Sequence, residues 1–192
     1  MRDGAAAVVL AAGGSRRLGR PKQVVPWQGE ALVRRAARAA VESSCARVVV
    51  VVGAAEPQVR DALVGLPVDV VSNSDWTEGI ASSIRCGVAE VARGGEGAVL
   101  LVACDQPALT AAHLDRIVGS WARGACAVGS RYAGTLGIPA LFDRSLFPSL
   151  LALRGDAGAK KLLGAGEVAA VDWAQGAHDV DTPQDLDGAG RA

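Results

Sequence analysis

Aromatic residues are scarce in this chain: four Trp, two Phe and one Tyr among 192 residues. A core of interlocking rings is therefore excluded. The interior must come from the alanine and valine that dominate a composition 50% hydrophobic. Net charge is missing too, since Lys+Arg and Asp+Glu number 20 each. General nucleic-acid binding needs a basic excess and is not expected. The apolar run Ala5–Ala12 is too short to cross a membrane and has no basic stretch of signal-peptide type before it, so it reads as an internal strand. Cys45, Cys86, Cys104 and Cys126 form no C-x-x-C pair. They read as buried free thiols in a reducing cytoplasm. His113 and His178 are the only histidines. Neither neighbours a nucleophile or a metal-ligand cluster, and both are expected at the surface or at helix ends.

What is present is a regular alternation. Apolar runs of strand length recur at Ala5–Ala11, Arg47–Val52, Val68–Val71, Ala98–Ala103 and Ala125–Val128, and they lack the period of two that marks a half-solvated sheet. Between them, Ala31–Ser43, Glu56–Val64, Ile80–Ala92 and Leu114–Arg123 carry helical periodicity, with Thr110 placed to cap the last. Strand–helix alternation over 1–192 predicts a single α/β domain: a doubly wound, Rossmann-like, mostly parallel sheet with helices on both faces. After Arg131 the alternation loosens. The segments from Gly134 to Asp172 read as an inserted hairpin and helices closing one side of a site. Ligands of such sheets sit at the carboxyl ends of the strands, so the residues after each strand are the ones to inspect.

After the first strand comes Ala12-Gly13-Gly14-Ser15-Arg16-Arg17-Leu18-Gly19-Arg20-Pro21-Lys22. Small residues let backbone N–H groups approach an anion, and Arg16, Arg17, Arg20 and Lys22 supply cations, which suits a nucleoside triphosphate. A P-loop is excluded because Arg20-Pro21 stands where Lys-Ser/Thr is needed, and the G-x-G-x-x-G spacing is absent. Asp105, in Cys104-Asp105-Gln106-Pro107 after the strand Ala98–Ala103, suits a Mg²⁺ ligand completed by phosphate oxygens and water. The plainer alternative is an Asx turn. Thr182-Pro183 reads as a helix start, leaving Asp181 as a second carboxylate. Asn73–Ser83 suits a base or ribose contact, and Gly155–Lys161 an acceptor phosphate held by Lys160 or Lys161. Both segments also read as helix-capping loops.

Leu10-Ala11-Ala12-Gly13-x-Ser15, with its basic residues through Pro21-Lys22, resembles the signature of the molybdopterin nucleotidyltransferases. Asn73…Trp76…Gly79…Ser82-Ser83…Gly87, Asp105-Gln106-Pro107, Gly137-x-Pro139, Gly155-Asp156-x-Gly158-Ala159 and Asp179-x-Asp181-Thr182-Pro183 resemble its molybdenum cofactor cytidylyltransferase branch, in order over nearly the whole chain. Two departures are Lys160, where arginine is more usual, and Val25-Pro26-Trp27, where leucine is commoner. The resemblance implies transfer of CMP from CTP to the terminal phosphate of molybdopterin with release of pyrophosphate. Arg16, Lys22 and Asp105 would be catalytic, with Asp105 and Asp181 on Mg²⁺. Leu10, Ala11, Ala12, Gly13, Gly14, Ser15, Asn73, Gly79 and Ser83 would bind nucleotide, and Gly137, Pro139, Gly155, Asp156 and Lys160 the acceptor. A molybdoenzyme or its chaperone would receive the product in the cytoplasm. No nucleic acid or membrane is implied. Ala11-Ala12 stands where the guanylyl branch resembles Leu-Ala-Gly-Gly, which favours CTP over GTP. The alternatives are nucleotidyl transfer to another phosphorylated acceptor (guanylyl transfer to molybdopterin, a sugar phosphate or phospholactate) and a non-catalytic nucleotide or cofactor carrier.

Overall fold

Strand β1 (Ala5–Ala11) is built of Ala, Val and one Leu, and all of it except Leu10 is buried. In the computed structural model, which describes residues 4–15, 18–164, 168–180 and 182–186, β1 has parallel neighbours on both sides. These are β4 (Arg47–Val52) and β6 (Ala98–Ala103). Outside β4 lies β5 (Asp69–Ser72); beyond β6 come β8 (Thr135–Asp143), β7 (Ala127–Tyr132) and β9 (Val168–Asp172). The order is β5-β4-β1-β6-β8-β7-β9. β8 alone in this sheet runs against the others. A separate two-stranded ribbon pairs β2 (Pro26–Trp27) with β3 (Glu30–Ala31).

Alternate residues of β1 explain why both faces are covered. Ala5, Ala7, Val9 and Ala11 face one helical layer, formed by α1 (Leu32–Val41), α2 (Glu56–Leu63) and α4 (Ala111–Ala122). Ala6 and Val8 face the other, formed by α3 (Ile80–Arg93) and α5 (Phe147–Leu151). Each fully buried Val or Leu contributes roughly 1.5–3 kcal/mol, so a strand covered on both sides gains from having no polar face. A four-residue helix, α6 (Pro183–Leu186), follows Thr182, whose N–H and hydroxyl both donate to the Asp185 carboxylate. No described helix is long and apolar enough to cross a membrane.

Three expectations are corrected. The region after Arg131 is not an insert beside the sheet: β8 and β9 are two of its seven strands, and β7 carries the expected strand at Ala125–Val128 on to Tyr132. The thiols are free, but only Cys104 is buried; Cys45 and Cys86 are half-buried and Cys126 is exposed. His113, expected at the surface or a helix end, sits in the first turn of α4 but is 2% exposed and stacks on Trp173 at 4.6 Å. The hydroxyl of Thr110 caps that helix, accepting from the His113 N–H as expected.

The hydrogen bonds around His113 fix its tautomer. Arg116 Nη2 lies 2.9 Å from Nδ1 and can only donate, while the Ser130 hydroxyl donates to the Pro139 carbonyl at 2.6 Å. Nε2–H therefore donates to Ser130 Oγ at 2.8 Å, and the ring is neutral. Burial, reinforced by the Arg116 cation, pushes its pKa down to about 4. A base held neutral in the fold stabilises it fully above its ordinary pKa near 6.5, and that stability is lost as pH falls toward 4. Urea denaturation should show the protein losing about 2–3 kcal/mol over this interval through this group. His113→Gln should lose measurably less. Equal pH slopes in parent and variant would remove His113 as the cause.

Candidate active site

From β1 the chain winds outward through β4 to β5, then returns to lay β6 on the other side of β1. The strand order reverses there, and a cleft of about 510 Å³ opens at the carboxyl ends of β1 and β6. Its floor is Leu10, Ala12, Gly13 and Gly14 on one side and Ala103, Cys104 and Asp105 on the other. Lys22 and Gln23 close one flank. Trp76–Ile80, Ser83, Ile138 and Asp156 close the rest.

Lys22 opens a short 3₁₀ turn (Lys22–Val24) after Pro21. Its ammonium contacts the Asp105 carboxylate across the cleft, with the two side chains 20% and 19% exposed. Ser15, at φ +48°, accepts the Lys22 N–H on its hydroxyl at 2.9 Å, which folds the loop back on itself. The Trp76 indole lies over Gly14, and a methyl on Gly14 would come within 2.9 Å of the ring. Burial and the neighbouring Asp105 charge push the Cys104 thiol up to about 12, so it offers no thiolate.

The two loops singled out for nucleotide and acceptor meet. Gly79, at φ +123°, has no room for a side chain because Asp156 Oδ1 and the Gly155 carbonyl lie 2.5 Å from where its Cβ would be. Ala81 N–H donates to the Gly155 carbonyl at 3.1 Å, and Gly155 N–H to Glu78 Oε1 at 3.1 Å. Arg85 grips Glu78 through both carboxylate oxygens and also donates to the Leu153 carbonyl. That guanidinium, with the Gly155 N–H, lowers the Glu78 pKa to about 2. Asp156 lines both the cleft and a shallow groove of about 710 Å³ with Arg154, Lys160 and Lys161.

Leu10, Ala12, Gly13, Gly14, Lys22, Gly79, Ser83, Asp105 and Asp156 thus line one cleft. Ser15 lines an adjoining hollow with Arg20 and Pro21, and Lys160 lies in the neighbouring groove. Ala11 is buried beneath the loop. Asn73 lies behind the cleft wall, donating to the hydroxyls of Ser82 and Ser83 at 2.9 and 3.1 Å. Gly137 packs on the Tyr132 hydroxyl and Pro139 accepts from Ser130, while Ile138 between them lines the cleft. Gly155 acts through its backbone. Arg16 and Asp181 lie outside the described residues; Val180, before Asp181, donates its N–H to the Asp105 carbonyl at 2.9 Å. Gln23 and Glu78 were missed. The only signal for Gln23 was a polar side chain between Lys22 and an apolar stretch.

Asp105 gives a part-exposed carboxylate facing the cleft. Among the described residues no group of three His, Cys, Asp or Glu gathers to cage a cation. A single carboxylate fits Mg²⁺, which takes one or two carboxylates and completes its shell with phosphate oxygens and water.

A glycine-rich loop with a lysine–carboxylate pair, at the reversal point of a doubly wound sheet, defines a nucleotide-handling α/β fold of the nucleotide-diphospho-sugar transferase type. The chain belongs to the family of MobA-like NTP transferase domains, whose model matches residues 7–171. It is a nucleotidyltransferase-family member related to the molybdenum cofactor nucleotidyltransferases. Nicotine blue oxidoreductase of Paenarthrobacter nicotinovorans is 33% identical over 166 residues, 81% of this chain and 79% of the relative. Purine catabolism protein PucB of Bacillus subtilis (strain 168) is 30% identical, covering 96% and 95%. The crystal structure of Rv0371c from Mycobacterium tuberculosis H37Rv superposes with a TM-score of 0.83 at 32% identity over 96% of each chain. A manganese complex of that protein scores 0.78 at 31% identity, over 95% of each chain.

Proposed function

We propose that the chain, as one domain, is a Mg²⁺-dependent cytidylyltransferase that moves CMP from CTP to the terminal phosphate of molybdopterin. The observation that carries this reading is Lys22 facing Asp105 where β1 and β6 diverge, beside Gly13 and Gly14. An oxygen of the acceptor phosphate attacks the α-phosphorus of CTP. The new P–O bond forms as the bond to the β-phosphate oxygen breaks, and pyrophosphate leaves with its electron pair. No general base is needed, because the attacking phosphate is already ionised. The chain's work is alignment and charge neutralisation. Gly13 and Gly14 hold the triphosphate through backbone N–H groups, and Lys22 and Arg16 offset charge on the α-phosphate and the leaving group. Asp105, with Asp181, would hold Mg²⁺, which when bound supplies Lewis-acid polarisation of the α-phosphate. Manganese in the Rv0371c complex supports a divalent ion in this family. Lys160 and its neighbours in the groove beyond Asp156 suit the phosphate of the acceptor.

The assay is pyrophosphate release from each of the four NTPs with purified molybdopterin cofactor. Release with CTP and molybdopterin only is the expected result, and release without molybdopterin dependence sinks the acceptor assignment. The relative named nicotine blue oxidoreductase gives a second reading, in which the same cleft serves an oxidoreductase. Redox turnover without pyrophosphate release would favour it.

Base preference has its own test. Ala12 is 2% exposed, and its methyl packs where the cleft floor meets Gly53 and Trp76. That methyl narrows the floor in favour of a pyrimidine. Ala12→Gly should relax the CTP-over-GTP ratio of kcat/KM by about 1–3 kcal/mol, the effect of one methyl group, without inverting it. A parent that prefers GTP would overturn the cytidylyl assignment and leave nucleotidyl transfer standing.

A further inference from the structure

Gln23 is a polar side chain only 1% exposed, and its amide is spent on the loop beside it. Nε2 donates to the carbonyls of Ala11 and Gly13 at 3.1 and 2.6 Å, while Oε1 accepts from the Ser15 hydroxyl at 3.3 Å. A trans peptide is planar, with its C=O and N–H pointing in opposite directions. Turning the carbonyls of Ala11 and Gly13 toward Gln23 therefore turns the N–H groups of Ala12 and Gly14 away from it. The Ala12 carbonyl accepts from Ala54 N–H at 3.1 Å, which sets the N–H of Gly13 in the same manner. Among the described residues the N–H groups of Gly13 and Gly14 have no protein acceptor, and both glycines line the cleft. Unpaired donors at such a place are the groups that receive an anion.

We infer that Gln23 is a positioning residue that aims the N–H of Gly14 at the phosphates of the nucleotide, beside the Gly13 N–H that the Ala54 contact sets. The inference rests on the nucleotidyl-transfer reading of the cleft. No apolar residue of similar size can replace Gln23, because two carbonyls would lose their donor and be free to rotate. Glutamate keeps the size and the acceptor toward Ser15, but its carboxylate faces the same two carbonyls with no proton to donate.

The test uses the full chain with Gln23→Met and Gln23→Glu, titrating magnesium–CTP and, as a base-free probe, pyrophosphate. Melting temperature and steady-state constants are recorded alongside. Both variants should bind both probes about tenfold more weakly, as expected when oriented donors are misaligned. The nucleotide KM should rise while the acceptor KM stays at the parental value. A lower melting temperature with parental affinity for both probes would make Gln23 a structural strut and overturn the inference. Amide NMR on the parent gives a measurement independent of any variant. The Gly13 and Gly14 resonances should shift on adding either probe, and unshifted resonances under saturating CTP would equally overturn it. A parent that binds neither probe removes the nucleotide reading itself, and the inference with it.

Discussion

Replacing Lys22 by alanine should lower turnover by about two orders of magnitude or more and leave the protein folded. One cation near a transferring phosphate in a partly dry cleft is worth about 3–4 kcal/mol to the transition state. Lys22 is placed for that role: it stands on a short turn fixed by Pro21 and by the Ser15 hydroxyl, and its ammonium reaches the cleft where β1 and β6 part. Its side chain lines the cleft, so truncation enlarges the cleft and leaves the core intact. Both side chains of the ion pair with Asp105 are mostly shielded from water, so losing one partner costs some stability, which the melting temperature reads. Pyrophosphate release and thermal denaturation on the same preparation separate the two effects. A variant with near-parental turnover would take Lys22 out of the mechanism.

How much of this was readable in the sequence depended on whether the forces involved were local. β1, β4 and β6 were read with their observed bounds because burial on both faces leaves an unbroken apolar run. The rule that chemistry sits after such strands then led to Lys22 and Asp105. β8 was hidden by its own residues. Gly137 and Pro139 normally argue against a central strand, and their segment reads as part of an inserted hairpin. In the structure Gly137 makes room for the Tyr132 hydroxyl, and the Pro139 carbonyl takes the Ser130 hydroxyl. Both partners lie close by on β7; what no local pattern could announce is that β8 also pairs with β6, whose matching residues lie 39 (Leu101 to Ala140) to 45 (Ala98 to Asp143) positions earlier.

The same limit hid His113 and Gln23. His113 looked like a helix-end residue because its partners Ser130 and Trp173 are distant in sequence. Gln23 could not be distinguished from an ordinary surface glutamine until the loop was seen curled over its amide. Asn73 illustrates the converse. Its side chain, free on paper to read a base, is occupied with Ser82 and Ser83 and braces the start of α3. Glu78 and Arg85 join two loops more than seventy residues apart, a contact invisible to any local pattern.

Asp105→Asn should severely impair metal-dependent transfer, and the way it fails should identify the role of the carboxylate. Asparagine keeps the shape of the side chain and the backbone carbonyl that accepts Val180 N–H, so the loop has no reason to move. It removes one negative charge, which matters in opposite directions for two measurements. With the divalent ion present, a carboxylate ligand is lost, and turnover should fall by about two to three orders of magnitude. Without the ion, Asp105 repels a triphosphate and holds the Lys22 ammonium to itself. Removing its charge should therefore leave metal-free CTP affinity unchanged or raised. A residue that merely capped a turn would weaken binding under both conditions and leave the metal dependence of the remaining activity as in the parent. Titrating Mg²⁺ and Mn²⁺ against CTP binding and pyrophosphate release distinguishes the cases. An unchanged metal dependence in Asp105→Asn would return Asp105 to the Asx-turn reading and would favour a carrier that binds nucleotide without transferring it.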